Sequence, residues 1–205
     1  MKKLTRDFFE RDTITVAKEL LGKVLVHEIN GKKLSAKIVE TEAYLGIEDK
    51  AAHSYGGKKT PRVEVMYGKP GVSYIYLIYG MYYCFNVVTR EEGVPQAVLI
   101  RALEPLEGFD TMSFNRFKIS YNMITNKQIK NLTNGPGKLC NAFNIDKNLN
   151  KEDMCVSKIF YIDDHNYNDF QIVSSKRIGI DYAEEYKDFL WRFYIKDNIY
   201  VSSTK

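Results

Sequence analysis

A tyrosine-rich segment, residues 72–89, constrains the fold of this chain more than any other part of its sequence. Residues 72–79 (VSYIYLIY) and 82–89 (YYCFNVVT) are two runs rich in β-branched and aromatic side chains, which favour strands. Gly80 and Met81 separate the two runs, and this pattern predicts a β-hairpin. Tyrosines are concentrated near its tip, where aromatic rings can stack on bases. The alternative is a core strand whose tyrosines place only their polar phenol ends at the surface.

The rest of the chain predicts an α+β (mixed α/β) fold, a single domain over residues 1–205 with helices around a curved, mainly antiparallel β-sheet. Residues 45–72 contain seven Gly and Pro residues, and a loop of this length is either functional or disordered. Asp12 or Thr13 is a suitable N-cap for the first helix. The predicted strands are 23–29, 34–44, 97–103, 171–175 and 190–196, and the predicted helices are 13–21, 106–116, 120–131 and 136–143.

Composition excludes collagen-like, coiled-coil and wholly disordered proteins. The chain has 205 residues, of which 44% are hydrophobic and 27% charged, values typical of a soluble globular protein. Its three cysteines form no CxxC pair and its three histidines lie far apart, so neither a disulfide framework nor a metal site is predicted. The sequence shows no apolar run of about 18 residues and no signal peptide, so we expect no membrane association and a cytoplasmic location.

Positive charge is concentrated in residues 115–150. This stretch has six Lys and Arg residues against one Asp, a local charge of +5 in a chain whose net charge is +4. Such a stretch suits a polyanionic partner such as nucleic acid, and aromatic rings at a hairpin tip can wedge between base steps. The alternative is a solvated, lysine-rich face.

Four side chains are candidates for chemistry. Glu40 and Glu42 share one face of the strand predicted over 34–44, and such a carboxylate beside apolar groups is a candidate general base. Alternatively, both glutamates are exposed at a sheet edge. Arg101 lies within an apolar strand and needs a carboxylate or phosphate partner. His53 lies beside glycines and cations, in a segment that is either a ligand-binding loop or a flexible basic one.

Residues 133–139 read TNGPGKL and resemble a phosphate-binding loop only in part. Leu132 stands where the first glycine of that motif belongs, and Leu139 replaces its Ser or Thr. We still expect backbone amides at the start of a helix here, suited to a DNA phosphate.

Ordered runs spread over residues 5–203 resemble one family, the alkyladenine (3-methyladenine) DNA glycosylases of the mammalian type, which also occur in bacteria. The matching runs include VAKELLGK, IVETEAYLG, AAHS, TPR, IYGMYYC, LIRALEPLEG, NGPGKLC, RIGI and LWRFY. The resemblance implies a monofunctional enzyme of base excision repair that flips damaged purines from duplex DNA and hydrolyses the N-glycosidic bond. It also implies a protruding hairpin that enters the DNA, and no metal or other cofactor.

The resemblance assigns catalytic and DNA-contacting roles by position. Glu42 matches the glutamate that activates the attacking water, and Arg101 matches a residue near that water and the target phosphate. Tyr79, at the hairpin tip, matches the intercalating residue. Met66 and Lys138 match contacts with the DNA backbone.

The resemblance also assigns the pocket for the flipped base. Tyr44 and Tyr76 match the aromatic pair that encloses it, with His53 on the pocket wall. Asn86 matches a residue that would clash with the exocyclic amine of guanine. The candidate substrates are 3-methyladenine, 7-methylguanine, hypoxanthine and ethenoadenine.

Two other functions stay open on the sequence alone. A non-catalytic module on the same fold would bind damaged DNA without needing Glu42 and would release no base. A hydrolase of free nucleosides would need neither the tip tyrosine nor the basic stretch. For the glycosylase we expect a monomer that acts on double-stranded DNA containing damaged purines, in the bacterial cytoplasm and associated with the nucleoid.

Overall fold

The computed structural model describes residues 2–165 and 167–202, which form an open antiparallel sheet of eight strands with five α-helices and confirm the α+β class. The helices are α1 (Arg6–Phe9), α2 (Thr13–Glu19), α3 (Phe109–Phe117), α4 (Asn126–Lys130) and α5 (Pro136–Ala142). The strands are β1 (Val24–Ile29), β2 (Lys32–Tyr44), β3 (Ser73–Ile78), β4 (Tyr82–Thr89), β5 (Gln96–Glu107), β6 (Phe160–Asp163), β7 (Ile172–Ser175) and β8 (Arg192–Ile195).

The longest strand, β2, lies in the middle of the sheet, whose order is β3-β4-β5-β2-β1-β6. The first part of β2 pairs with β1, residues 40–42 pair with β8 on the same side, and β5 covers the other side. Glu40 and Glu42 are both 0% exposed as a result. The interpretation that they lie exposed at a sheet edge is therefore wrong, because β8 arrives from about 150 residues away and covers that edge.

The pairing of β2 with β5 is interrupted next to the glutamates. Glu40 pairs with Ala102 and Thr41 pairs with Ile100, so Arg101 is an extra residue on β5. Such a bulge bends a strand and redirects its side chains, and bulges are common near active sites. At this bulge the Arg101 side chain donates hydrogen bonds to both Glu40 and Glu42.

Helix α2 packs on β2 and β5. It begins as predicted, because the Asp12 side chain accepts a hydrogen bond from the Thr15 backbone N–H at 2.8 Å. Its carbonyl at Ala17 accepts a hydrogen bond from Thr41 Oγ1 at 2.8 Å, which ties the helix to β2 beside the glutamates. Helix α5 packs on β4 and β5, so the two helices cover the strands that carry the site.

Several boundaries differ from the predicted ones. Strand β5 continues to Glu107 because residues 35–37 of β2 still pair with it, and α3 therefore begins only at Phe109. The helix predicted over 120–131 is instead a 3₁₀ turn at Tyr121–Met123 followed by α4. Strand β6 and helix α1 were not predicted from the pattern. None of the helices in the described ranges is long and apolar enough to cross a membrane.

Candidate active site

A cavity of about 540 Å³ opens between the β3–β4 hairpin, the start of α5 and residues 178–182. Its volume is typical of small-ligand pockets. The structure brings together six of the side chains singled out from the sequence, which all line this cavity: Tyr44, His53, Tyr76, Tyr79, Arg101 and Lys138. A larger hollow of about 640 Å³ lies elsewhere on the surface, and none of the predicted site residues lines it.

A narrow recess extends the site beyond Tyr44 and Tyr76 and is lined by Asn86 and Met66. Asn86 is 3% exposed, and its Nδ2 donates to the Tyr74 carbonyl at 3.0 Å, which fixes the side chain. Met66 is 2% exposed and packs with other buried apolar side chains. The Met66 side chain therefore lines the recess rather than the outer surface, and the DNA-backbone contact that the resemblance implies for this residue stays a prediction.

Glu42 lies just behind the cavity wall, and both oxygens of its carboxylate accept hydrogen bonds. Tyr44 Oη donates to Oε2 at 2.9 Å, Arg101 Nη1 donates to Oε2 at 3.1 Å, and the Ile178 backbone N–H donates to Oε1 at 2.8 Å. A carboxylate has about four acceptor positions, and these three donors fix its orientation while allowing one further donor.

The two tyrosines of the pocket wall each have a guanidinium stacked on the ring. The Arg177 Cζ lies 4.7 Å from the Tyr44 ring centroid, and the Arg62 Cζ lies 5.0 Å from the Tyr76 ring centroid. Arg177 is also paired with Asp49 through two hydrogen bonds of 2.6 and 2.8 Å, with both side chains fully buried. The tyrosine rings are therefore held by packing and charge rather than left free to rotate.

His53 is neutral at pH 7. Burial, and secondarily the charge of Arg62, lower its pKa to about 4. Its Nδ1 lies 2.7 Å from Tyr74 Oη, and its ring packs edge-on against Tyr76 with centroids 4.6 Å apart. Burial also raises the pKa of Tyr44 well above its ordinary value, so its hydroxyl keeps the proton that it donates to Glu42.

The opposite wall of the cavity is basic and is held close to the hairpin. Lys138 and Arg116 both line it, and Lys138 Nζ donates to Asn131 Oδ1 at 2.9 Å and to Asn134 Oδ1 at 2.8 Å. Burial lowers the pKa of Lys138, and the charge of Arg116 adds to this. Among the described residues, none of the six cations of the 115–150 stretch forms an ion pair with a carboxylate, so their positive charge is not neutralised within the protein.

The tip of the β3–β4 hairpin projects an aromatic ring into solvent. Tyr79 is 80% exposed, more than any other large hydrophobic side chain among the described residues, and Met81 beside the turn is 66% exposed. The turn places both Tyr79 and Gly80 at positive φ, 53° and 70°. Few residues other than glycine adopt this conformation, so the ring of Tyr79 is presented at some conformational cost.

Sequence reasoning missed three contributors to the site. Asp49 and Arg177 hold the back of Tyr44, and Tyr182 lines the mouth of the cavity while remaining 68% exposed. The sequence signal for the first two was their place in the family resemblance: Asp49 lies between the IVETEAYLG and AAHS runs, and Arg177 begins the RIGI run. Over residues 2–165 and 167–202 no three His, Cys, Asp or Glu side chains are grouped so as to hold a metal ion.

Comparisons with known proteins point to one family. The family model described as methylpurine-DNA glycosylase matches residues 7–199. A protein of Desulfitobacterium hafniense (strain Y51) named "Putative 3-methyladenine DNA glycosylase" is 66% identical over 202 residues, covering 98% of this chain and 99% of the relative. A Clostridium botulinum (strain Hall) protein of the same name is 57% identical over 200 residues, covering 98% of both chains.

Proposed function

Since the chain belongs to the methylpurine-DNA glycosylase family, we propose that it flips alkylated or deaminated purines out of duplex DNA and hydrolyses their N-glycosidic bond with a water activated by Glu42. Family membership establishes the class, a DNA glycosylase of DNA repair that hydrolyses N-glycosyl bonds. The observation that carries the finer proposal is the buried Glu42 carboxylate, held by three donors directly behind a cavity with two tyrosine walls.

The exposed hairpin tip supports base flipping. A base inside a duplex is out of reach of an enzyme, and extruding it costs a few kcal/mol of pairing and stacking. The ring of Tyr79 stands free of the protein and fills the place that the base leaves. We assign binding of the phosphates on either side to the cations of the 115–150 stretch that have no carboxylate partner, including Lys138 on the cavity wall.

The composition of the cavity favours damaged purines. Alkylated purines are electron-poor and often cationic, and a cation over an aromatic face gains about 0.5–2 kcal/mol. Tyr44 and Tyr76 supply such faces, and a neutral His53 beside them does not repel a cationic base. Asn86, fixed by its bond to the Tyr74 carbonyl, cannot move aside for the exocyclic amine of guanine, so normal guanine is rejected by repulsion.

The chemistry follows from the environment of Glu42. Its fourth acceptor position takes a hydrogen bond from a water, and the carboxylate removes a proton as the water oxygen bonds to C1′. The C1′–N bond breaks and its electron pair leaves with the purine, for which a positive charge on an alkylated base is an advantage. The negative charge of Glu42 stabilises the oxocarbenium-like sugar, and the hydrogen bond from Arg101 Nη1 orients the Glu42 carboxylate.

The proposed enzyme is a monofunctional monomer. Lys138 is the lysine on the cavity wall, and its Nζ is engaged by two asparagine oxygens, so we assign it to phosphate binding rather than to attack on the sugar. An abasic site without strand cleavage is therefore the product. The substrates we propose are 3-methyladenine first, then 7-methylguanine, hypoxanthine and ethenoadenine.

The test is chromatography of the bases released from methylated duplex DNA, together with gel analysis of strand cleavage. The proposal expects free 3-methyladenine, intact strands, and DNA binding that weakens steeply with added salt. Binding without any base release would favour the non-catalytic module. Equal release from free methylated nucleosides, with little salt dependence, would favour a nucleoside hydrolase.

A further inference from the structure

Beside Glu42 the buried charges form a chain of alternating sign, Arg192–Glu40–Arg101–Glu42. Glu40 Oε1 accepts a hydrogen bond from Arg192 Nε at 2.6 Å and another from Arg101 Nε at 3.2 Å. Arg101 Nη1 then donates to Glu42 Oε2 at 3.1 Å. The two glutamates are 0% exposed, Arg192 is 1% exposed and Arg101 is 7% exposed. Two carboxylates and two guanidiniums thus balance one another in the interior, as buried charges must.

We infer that Glu40 and Arg192 are positioning residues for base excision: Arg192 neutralises Glu40, so that the charge of Arg101 stays directed at Glu42 and the reacting sugar. This inference rests on the proposed function of Glu42. Neither Glu40 nor Arg192 is among the residues that line the cavity, so both act through Arg101.

Glu40 and Arg192 are themselves firmly held. Ser202 donates to Glu40 from its backbone N–H and from Oγ, both at 2.7 Å. Arg192 Nη2 donates to the Ser202 carbonyl at 3.0 Å, and Nη1 donates to Ser175 Oγ at 3.2 Å. Charge-assisted bonds of this kind hold side chains more firmly than neutral ones. Arg101 is therefore anchored through Nε on a fixed carboxylate, which leaves Nη1 aimed at Glu42.

Removing Arg192 and removing Glu40 change the balance of these four buried charges in opposite directions. Without Arg192, the one guanidinium of Arg101 is shared between two buried carboxylates, so the site takes up a proton more readily. Without Glu40, Arg101 and Arg192 both act on Glu42, so the site takes up a proton less readily. These opposed effects distinguish positioning by charge from a merely structural role, which would lower activity without moving its pH dependence.

The other titratable groups that face Glu42 do not account for the expected opposite shifts in pH dependence. Burial raises the pKa values of Tyr44, Tyr76 and Cys84, so all three stay neutral over the range of the experiment. Arg177, which precedes the Ile178 N–H donor to Glu42, is charge-balanced by Asp49. The four members of the charge chain are thus the charges that the variants change.

The experiment is the pH dependence of single-turnover base release, whose acid limb reports protonation of the catalytic base. Arg192→Gln is expected to raise the midpoint of that limb by about one pH unit, and Glu40→Gln to lower it by about as much. Arg192→Lys keeps the charge and is expected to leave the midpoint within about 0.3 pH unit of the wild type. Arg6→Gln is the matched control, because Arg6 pairs with Asp153 outside the site.

Each single variant leaves one buried charge without its partner and could fail to fold for that reason. The double variant Glu40→Gln/Arg192→Gln removes one charge of each sign, so it leaves no unpaired charge in the interior and keeps the inference testable. It is expected to keep a midpoint close to that of the wild type, and a midpoint displaced by a full unit would overturn the inference. Single variants that shift the midpoint in the same direction, or not at all, would also overturn it. A wild-type protein that releases no base would refute the proposed function instead, so the two failures are distinguishable.

Discussion

Removing the ring of Tyr79 tests the proposed wedge without disturbing the fold. Tyr79 is 80% exposed, so Tyr79→Ala removes almost no buried surface, and we expect the free energy of unfolding to change by no more than about 0.5 kcal/mol. The backbone φ of 53° is one that alanine adopts no more readily than tyrosine, so the turn itself is unchanged in cost. Any effect on base release therefore comes from the missing ring.

The size of that effect follows from stacking. Base–aromatic stacking is worth about 1–3 kcal/mol per base, which corresponds to a rate or affinity loss of about 5- to 150-fold. The loss should appear only where the wedge replaces a base that had to be unpaired. The same lesion placed in an unpaired bulge is already partly unstacked, so its release should slow much less.

The assay is single-turnover base release from two oligonucleotides that carry one lesion, either paired in a duplex or unpaired in a bulge. Tyr79→Phe, which keeps the ring, is the matched control and is expected to behave like the wild type on both. Equal rates for Tyr79→Ala and the wild type on the paired lesion would refute the wedge. An equal loss on both oligonucleotides would also refute it, since it would place Tyr79 in binding rather than in flipping.

Three further predictions concern the pocket and its support. The pKa of His53 is about 4 when folded and about 6.5 when unfolded, so its stabilisation is present above pH 6.5 and lost as pH falls. Lowering the pH from 7 to 5 should therefore cost the wild type about 1–2 kcal/mol more in urea unfolding than it costs His53→Gln. Asp49→Asn leaves Arg177 buried without its counter-ion and should cost about 3–5 kcal/mol in the same assay. Gly137→Ala would bring a Cβ to 3.0 Å from the Tyr82 side chain, and we expect slower release from duplex DNA with a melting temperature within about 4 °C of the wild type.

The local parts of the fold were predictable because their signals are short-range. Asp12 capped α2 as expected, and the hairpin between β3 and β4 formed where the two aromatic runs flank Gly80. The surroundings of Glu40 were not predictable from the pattern. Its partner Arg192 lies 152 residues away, and although a strand is predicted over 190–196, nothing in the sequence pattern shows that this strand pairs with β2.

The site was predictable to the extent that the family resemblance placed it. Tyr44, Tyr76 and His53 do line one cavity, as the resemblance implied, although their roles stay proposals. Met66 came from the same source, yet the packing of the recess buries it. Arg177 was missed because its contact with the Tyr44 ring joins a loop to the sheet. Hydrophobic periodicity in the sequence gives no sign of such a contact.

The most direct test of the account compares the wild type with Glu42→Gln on one methylated duplex, measuring both base release and DNA affinity. The amide keeps the size of the side chain but cannot remove a proton from water. We predict that release falls by at least about 100-fold while affinity for the duplex stays within about threefold. Release by Glu42→Gln at the wild-type rate would contradict the assignment of the general base. Binding without release by both proteins would contradict the proposed hydrolysis itself.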